Sequence, residues 1–375
     1  MKKIALIFLL IWILTGSFVA CAQELWKGYE HLFLPKRSYV VYQTLNDILI
    51  DGKGDDISWK KAEWSGNFTD IEGDVKPKPL YPTQVKMLWD KNYLYILAEL
   101  TEPHIWSYYI TRDQIVYNEN DFEIFIDPDG DTHNYYEFEL NAANTLFDLF
   151  LPKPYRNGGQ PLIGWNAEGF KSAVSIVGTL NNPSDVDQKW TVEMAIPFKS
   201  LNVGQTTQTP VDGQIWKIDF SRVNWQTDVV EGKYQKRKDE KTGNALPEYN
   251  WVWSPTGEIN MHTPERWGML QFSGNTVKNQ NVEFKLPVDE EFKNYLWLIY
   301  YKQLEFRRNH GRFASSSSEL SLPDVFKDST GISSKLELVA SQNQFSAKLT
   351  TTNGLVLSLN ESSLLQKSQL NKNHE

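Results

Sequence analysis

Cysteine is nearly missing from this 375-residue sequence, with Cys21 standing alone. A single cysteine forms no intrachain disulfide and no thiolate metal cluster. Histidine is sparse as well. Its six copies (His31, His104, His133, His262, His310 and His374) are scattered, and no pair has the spacing of a helical metal motif. Positive charge is in deficit, with 38 Lys and Arg against 47 Asp and Glu and a formal net charge of -9. Loss of Lys2 and Lys3 with a cleaved leader deepens that deficit. Nucleic acid and anionic lipid surfaces require clustered Lys and Arg, so neither is expected as a partner. No apolar run reaches the ~20 residues that a membrane-spanning helix needs. Enzyme signatures are missing too: there is no Gly-x-Ser-x-Gly elbow, no phosphate-binding glycine loop and no His-Glu-x-x-His.

What is present is an ordinary globular balance, 23% charged and 41% hydrophobic, which excludes wholesale disorder and a fibrous fold. Aromatics are plentiful, with 14 Trp, 17 Tyr and 19 Phe. The chain opens with Lys2-Lys3, an apolar run from Ile4 to Leu14, and then small residues. That order predicts a secretory signal peptide over residues 1–22 and an exported product, periplasmic, outer-membrane-associated or extracellular. Ala20-Cys21-Ala22 fits cleavage before Gln23, whereas Val19-Ala20-Cys21 resembles a lipobox that would put lipid on Cys21. Contact with a membrane is expected only through that lipid.

Residues 24–45 form a lead-in. From 46 to 273, short segments alternate apolar and polar residues between Asp-Gly, Asn-Gly and Pro-rich turns. Val85–Trp89, Tyr93–Ala98, Phe122–Asp127, Tyr135–Leu140, Trp190–Ile196 and Ile215–Phe220 are examples. A period of two with little helical periodicity predicts a mainly β fold, an antiparallel β-sandwich. A break falls at Gly274-Asn275. Beyond it, Phe292, Leu296, Ile299 and Phe306 lie at helical spacing and predict an amphipathic helix ending at His310-Gly311. Three strand-like segments follow, so residues 287–360 are expected as a small α+β packing appendage.

Five segments, in order, resemble the family 9 carbohydrate-binding module-like domains, over most of 46–273. They are Ile50-Asp51-Gly52 with Asp55–Trp59, Leu88–Ile96, Asn120–Asp127, Trp190–Pro197 and Phe220–Val223. The resemblance implies a jelly-roll sandwich, binding of a polysaccharide or oligosaccharide beside polysaccharide-degrading enzymes, and often bound calcium. It also implies a site that clamps a sugar between two aromatic rings. The family's strand Glu is matched by Glu123. The aromatic six residues before it is Tyr117 rather than Trp. The family's Arg on the next strand falls near Glu139, a reversal of charge. A late-strand polar contact falls near Arg222. The second Trp has no match, and Asn260-Met261-His262 occupies its region.

The residues themselves support a sugar site independently, because an exposed ring covers the C–H face of a pyranose while polar groups take its hydroxyls. Tyr117, Trp106, Trp225 and Trp165 stand in or beside loops and are the candidate platforms. Trp59, Trp89, Trp190 and Trp216 fall in regular strands or closures and are expected in the core. Glu123 and Arg222 are charges within apolar strands, candidates for ligand contacts or, for Arg222, an internal ion pair. His262 is a candidate contact, a haem ligand or a packed ring. Asp127-Pro128-Asp129-Gly130-Asp131 brings three carboxylates into one turn, enough oxygen to bind calcium, though a plain Asp-Gly turn has the same composition. No catalytic residue stands out. Three functions are consistent with these features: a carbohydrate-binding protein without catalysis, a haem-binding electron-transfer module using Met261 or His262, and a glycoside hydrolase.

Overall fold

The structure is a computed structural model, and it describes residues 25–203 and 209–370. The expected leader and cleavage site, and Cys21, lie outside the described residues. The described residues divide into two compact units, one within Pro35–Leu286 and one formed by residues 287–370 with residues 25–34.

The larger unit is built from strands β1 (Ser38–Gln43), β2 (Thr69–Asp70), β3 (Thr83–Trp89), β4 (Tyr93–Thr101), β5 (Asp121–Asp127), β6 (Tyr135–Asn141), β7 (Leu146–Leu151), β8 (Lys171–Val177), β9 (Lys189–Pro197), β10 (Ile215–Asn224), β11 (Thr227–Val230), β12 (Lys233–Lys236), β13 (Tyr249–Val252) and β14 (Gly268–Thr276). One curled sheet runs in the order β7-β6-β5-β10-β14-β1-β3-β4-β9-β8, with β13 also pairing β10. Its two halves face each other. Alternate residues of β5 and β6 (Phe122, Ile124, Ile126, Tyr136, Phe138) meet alternate residues of β4 and β9 (Leu94, Ile96, Val192, Met194) in one apolar core. Trp59, Trp89, Trp190 and Trp216 are all buried, as expected from their places in strands and closures.

The pairing is antiparallel with one exception. β1 lies parallel to both β14 (Tyr39 opposite Leu270) and β3 (Tyr42 opposite Leu88) and joins the two halves. The sequence assigned this stretch to a lead-in because its partners are distant and no hairpin turn announces it. The break expected at Gly274-Asn275 lies inside β14, whose ladder continues to Thr276.

The Asp51–Trp59 opening has a physical role. Buried Glu193 on β9 accepts from the Trp59 indole (2.7 Å), the Gly52 N–H (2.9 Å) and the Asp51 N–H (3.1 Å). Gly52 holds φ +83°, and a Cβ there would lie 2.7 Å from the Val174 backbone carbon, so the turn excludes a side chain.

In the smaller unit the helix Glu290–His310 buries Phe292, Tyr295, Leu296 and Ile299. It ends at Gly311, which adopts the left-handed cap conformation at φ 70°. The sheet comprises β15 (Val325–Lys327), β16 (Ser333–Ala340), β17 (Phe345–Thr351), β18 (Leu355–Asn360) and β19 (Leu365–Gln369). Leu336, Ala347, Leu349, Leu357 and Leu359 share one cluster with the helix. Two more strands form than the sequence suggested. β15 is only three residues long and β19 carries a single buried side chain, so neither shows a pattern of its own. Among the described residues no helix is long and apolar enough to cross a membrane.

Candidate carbohydrate-binding cleft

Strand alternation that sends Phe122 and Ile124 into the core sends Asp121, Glu123 and Phe125 to the opposite face. Register extends this face across the neighbouring strands. Glu123 lies opposite Glu139 on β6, and Glu139 lies opposite Phe147 on β7. Phe125 lies opposite Glu137, which lies opposite Leu149. These residues form the floor of a cleft of about 580 Å³. Ile115 and Tyr117, Tyr155 and Ile163, and Ile259 to His262 contribute its walls.

Tyr117 and Tyr155 remain 45% and 43% exposed, which is what a ring that stacks on a ligand requires. Each is held from behind. The Trp225 indole donates to the Tyr117 carbonyl at 2.9 Å, and the Trp225 N–H donates to Asn120 Oδ1 at 2.7 Å. Beside Tyr155, the Arg156 guanidinium forks onto the carboxylate of buried Glu265 at 2.8 and 2.9 Å. That pair ties the Tyr155 turn to the loop bearing His262, whose ring meets Tyr155 edge-on at 4.4 Å between centroids. His262 Nδ1 also pairs with the Tyr135 hydroxyl at 3.0 Å. Burial lowers the His262 ring to about 4, so it is neutral at physiological pH. Its neighbour Met261 is buried in the apolar cluster that includes the floor residues Phe125, Phe147 and Leu149, and its carbonyl accepts from the Trp267 indole.

The floor is acidic. Glu123, Glu137 and Glu139 line it, and Asp121 lies beneath; all four are buried. Burial pushes the Glu123 carboxyl up to about 7. Burial also pushes Asp121, Glu137 and Glu139 well above the usual carboxylate range, and neighbouring carboxylates push them the same way. Among the described residues that line the cleft there is no Lys or Arg.

The cleft therefore unites Tyr117, Glu123 and His262 from the residues expected in the site. It leaves others out. Arg222 lies opposite Phe122 in the ladder and points into the sandwich. There it is 1% exposed, bonds Glu102 at 2.8 Å and Thr83 Oγ1 at 3.0 Å, and lies over the rings of Tyr81 and Trp251. Its expected ligand contact is corrected to the internal ion pair, because the strand period places it on the face opposite Glu123. Trp106 is likewise corrected: it is 4% exposed and packs against Tyr108. Trp225 is a support rather than a bare platform, since the Lys236 ammonium sits 3.3 Å from its ring centroid. Trp165 packs on core residues Tyr136 and Phe138.

Sequence reasoning missed Tyr155, Phe125, Asp121 and Glu137 as site residues. The acidic alternation of β5 and β6 was visible, but it was indistinguishable from an ordinary wet face. Asp127, Asp129 and Asp131 do lie with carboxylate oxygens within 4.8 Å of one another. Asp127 spends both oxygens closing its own turn, on the N–H groups of Gly130 and Thr132, each at 2.9 Å.

A β-sandwich with an aromatic-walled cleft on one sheet face is the architecture of a small-ligand binding module. The chain belongs to the carbohydrate family 9 binding domain-like family, whose sequence profile matches residues 50–274. It is 29% identical over 191 residues to endo-1,4-beta-xylanase A of Thermoanaerobacterium saccharolyticum, a stretch covering 51% of this chain and 14% of that protein. It is 28% identical over 191 residues to exoglucanase XynX of Acetivibrio thermocellus, covering 51% of this chain and 15% of that one. The chain thus matches only a small part of the length of these relatives. Among solved structures, a putative carbohydrate-binding protein from Bacteroides uniformis superposes with a TM-score of 0.46 at 17% identity, over 64% of this chain and 100% of its own. A family 9 carbohydrate-binding module from Caldicellulosiruptor kristjanssonii, solved with glucose, gives a TM-score of 0.39 at 18% identity, over 66% and 100% respectively.

Proposed function

We propose that this protein is an exported carbohydrate-binding protein without catalysis of its own, and that it holds a glycan in the cleft between Tyr117 and Tyr155. One observation carries the reading: two half-exposed tyrosines border a floor of buried carboxylates in a cleft of about 580 Å³. The rings cover the C–H faces of a pyranose, and the carboxyl groups exchange hydrogen bonds with its hydroxyls. Family membership supports the ligand class. The charged, apolar and small-residue order of residues 1–22 supports export, and the N-terminal mass of the mature protein tests it. A chain beginning at Gln23 marks simple cleavage, a lipid-modified Cys21 marks a membrane-anchored form, and a chain that keeps its leader contradicts export.

The binding reading is tested on an array of plant and microbial polysaccharides, followed by isothermal titration with the best oligosaccharide. Saturable binding that weakens in Tyr117→Ala and Tyr155→Ala is expected. A blank array, or binding indifferent to both changes, sinks the proposal.

A hydrolase reading is an alternative because Glu123 and Glu139 bring two carboxyl groups together on the cleft floor, and a carboxyl pair is the machinery of glycoside hydrolysis. Release of reducing ends from the bound polysaccharide, abolished in Glu123→Gln with binding retained, would favour it.

A further inference from the structure

The floor of the cleft gathers four buried carboxyl groups, and among the described residues no Lys or Arg lines it. Ion pairs of the sandwich, among them Arg222–Glu102, Arg112–Asp148 and Arg156–Glu265, lie elsewhere. Behind the three glutamates sits Asp121, 0% exposed, with neither side-chain oxygen in a hydrogen bond. A buried carboxylate without a donor is expensive, and native structures rarely leave one without a ligand, ion or proton. Asp121 is two residues before Glu123 on β5, so its side chain emerges on the cleft face. One oxygen each of Asp121, Glu123 and Glu139 lie within 4.8 Å of one another.

That spacing fits a cation. Oxygen ligands of calcium stand about 2.3–2.6 Å from the ion, so two of them are separated by no more than about 5 Å. An ion among the three carboxylates therefore reaches all of them without a change of backbone. The donors are all oxygen, with no thiolate or imidazole in the set, which selects a hard divalent ion over zinc or copper. Three carboxylates offer at most six oxygens, while calcium takes six to eight ligands. The open side of the cleft is where further oxygens enter.

We propose that Asp121, Glu123 and Glu139 hold one divalent cation of the calcium class on the floor of the cleft, and that ligand hydroxyls complete its coordination. The second half rests on the carbohydrate reading; the first does not. The ion turns an acidic floor into a seat for vicinal hydroxyls, and it neutralises the carboxylates that burial disfavours. This site is separate from the Asp127–Asp131 turn, where the side-chain oxygens of Asp127 already accept backbone N–H groups.

The test uses the full mature chain, stripped with EDTA. Calcium is titrated by calorimetry, and terbium by luminescence sensitised through the cleft aromatics, both without sugar. One ion is expected, with affinity falling about tenfold or more in Asp121→Asn and in Glu139→Gln and unchanged in Asp129→Asn. Two floor variants guard against one of them failing to fold, which circular dichroism reports. Ion binding that survives both floor changes, or that is lost in Asp129→Asn, overturns the proposal. So does a protein that binds neither ion at millimolar concentration, because the floor is then neutralised by protons. Glycan titrations with calcium and with EDTA test the second half: affinity should drop about tenfold or more on chelation, and unchanged affinity rejects it. Ion binding at the floor with no glycan bound under any condition would leave the metal site standing and reject the carbohydrate reading instead.

Discussion

Tyr117 and Tyr155, the two proposed platforms, are positioned by different routes. One is positioned by an indole bonded to its carbonyl, the other by the Arg156–Glu265 fork beside it. Burying one aromatic face against a sugar is worth about 1.5–3 kcal/mol. Truncating either ring to alanine should therefore weaken glycan binding about tenfold to a hundredfold while leaving the melting temperature within a few degrees, since both rings are half-exposed. Calorimetric titration beside a thermal melt checks both halves. His262 makes a second prediction. Its ring is held near 4 by burial, below the ordinary value of about 6.5 in the unfolded chain. The stability it contributes is fully present above about 6.5 and is lost as pH falls towards 4. An NMR titration of the His262 ring should show a midpoint near 4, and a midpoint at the ordinary value would contradict its burial against Tyr135 and Tyr155. The nature of these residues was legible in the sequence only in part. Tyr117 and Glu123 stood at matched spacings, but nothing marked Tyr155 apart from the other tyrosines, because its partner residues are more than a hundred positions away.

The strand explains more than any single side chain. On β5, Phe122, Ile124 and Ile126 make the core while Asp121, Glu123 and Phe125 face the cleft, so one segment builds both. A one-residue slip would exchange the two sets. The same period removes Arg222 from the site and buries it against Glu102. These assignments follow from register, which the sequence pattern implies only where both neighbours of a strand are known. In the other half of the sheet, β9, flanked by β4 and β8, offers Glu193 to three donors of the Asp51–Trp59 segment. Glu193→Ala would leave those donors buried without an acceptor and should destabilise the sandwich by about 3 kcal/mol. Its denaturant midpoint should fall with an unchanged slope. A midpoint within error of the parent would show that the opening segment is held by packing alone.

At the level of the molecule, every residue that lines the cleft lies between Ile71 and His262. The compact unit Pro35–Leu286 contains all of them together with β1, the strand that joins the halves of the sheet. A chain of residues 35–286 should therefore fold cooperatively and bind the same glycan within about threefold of the full protein, since fully buried contacts within a unit carry its stability. A chain beginning at residue 46, which omits β1, should unfold at a lower temperature or fail to fold, because β14 and β3 then expose their ladders to water. Parallel melts of the two chains decide this.

By itself the sequence determined the class of fold, the family and four of the core tryptophans, Trp59, Trp89, Trp190 and Trp216. Period-two alternation and turn residues are local signals, and burial of a large ring in a regular strand follows from them. The terminal helix was equally legible, down to its stop at Gly311. The tertiary structure alone decided which faces meet and which side chains converge. It placed β1 between two distant strands, turned Arg222 and Trp106 inward, and brought Tyr155 to the cleft. It also gathered Asp121, Glu123, Glu137 and Glu139 onto one floor. Each of those outcomes depends on contacts between residues far apart in the chain, where the free energy of burial is set by neighbours that no local pattern names.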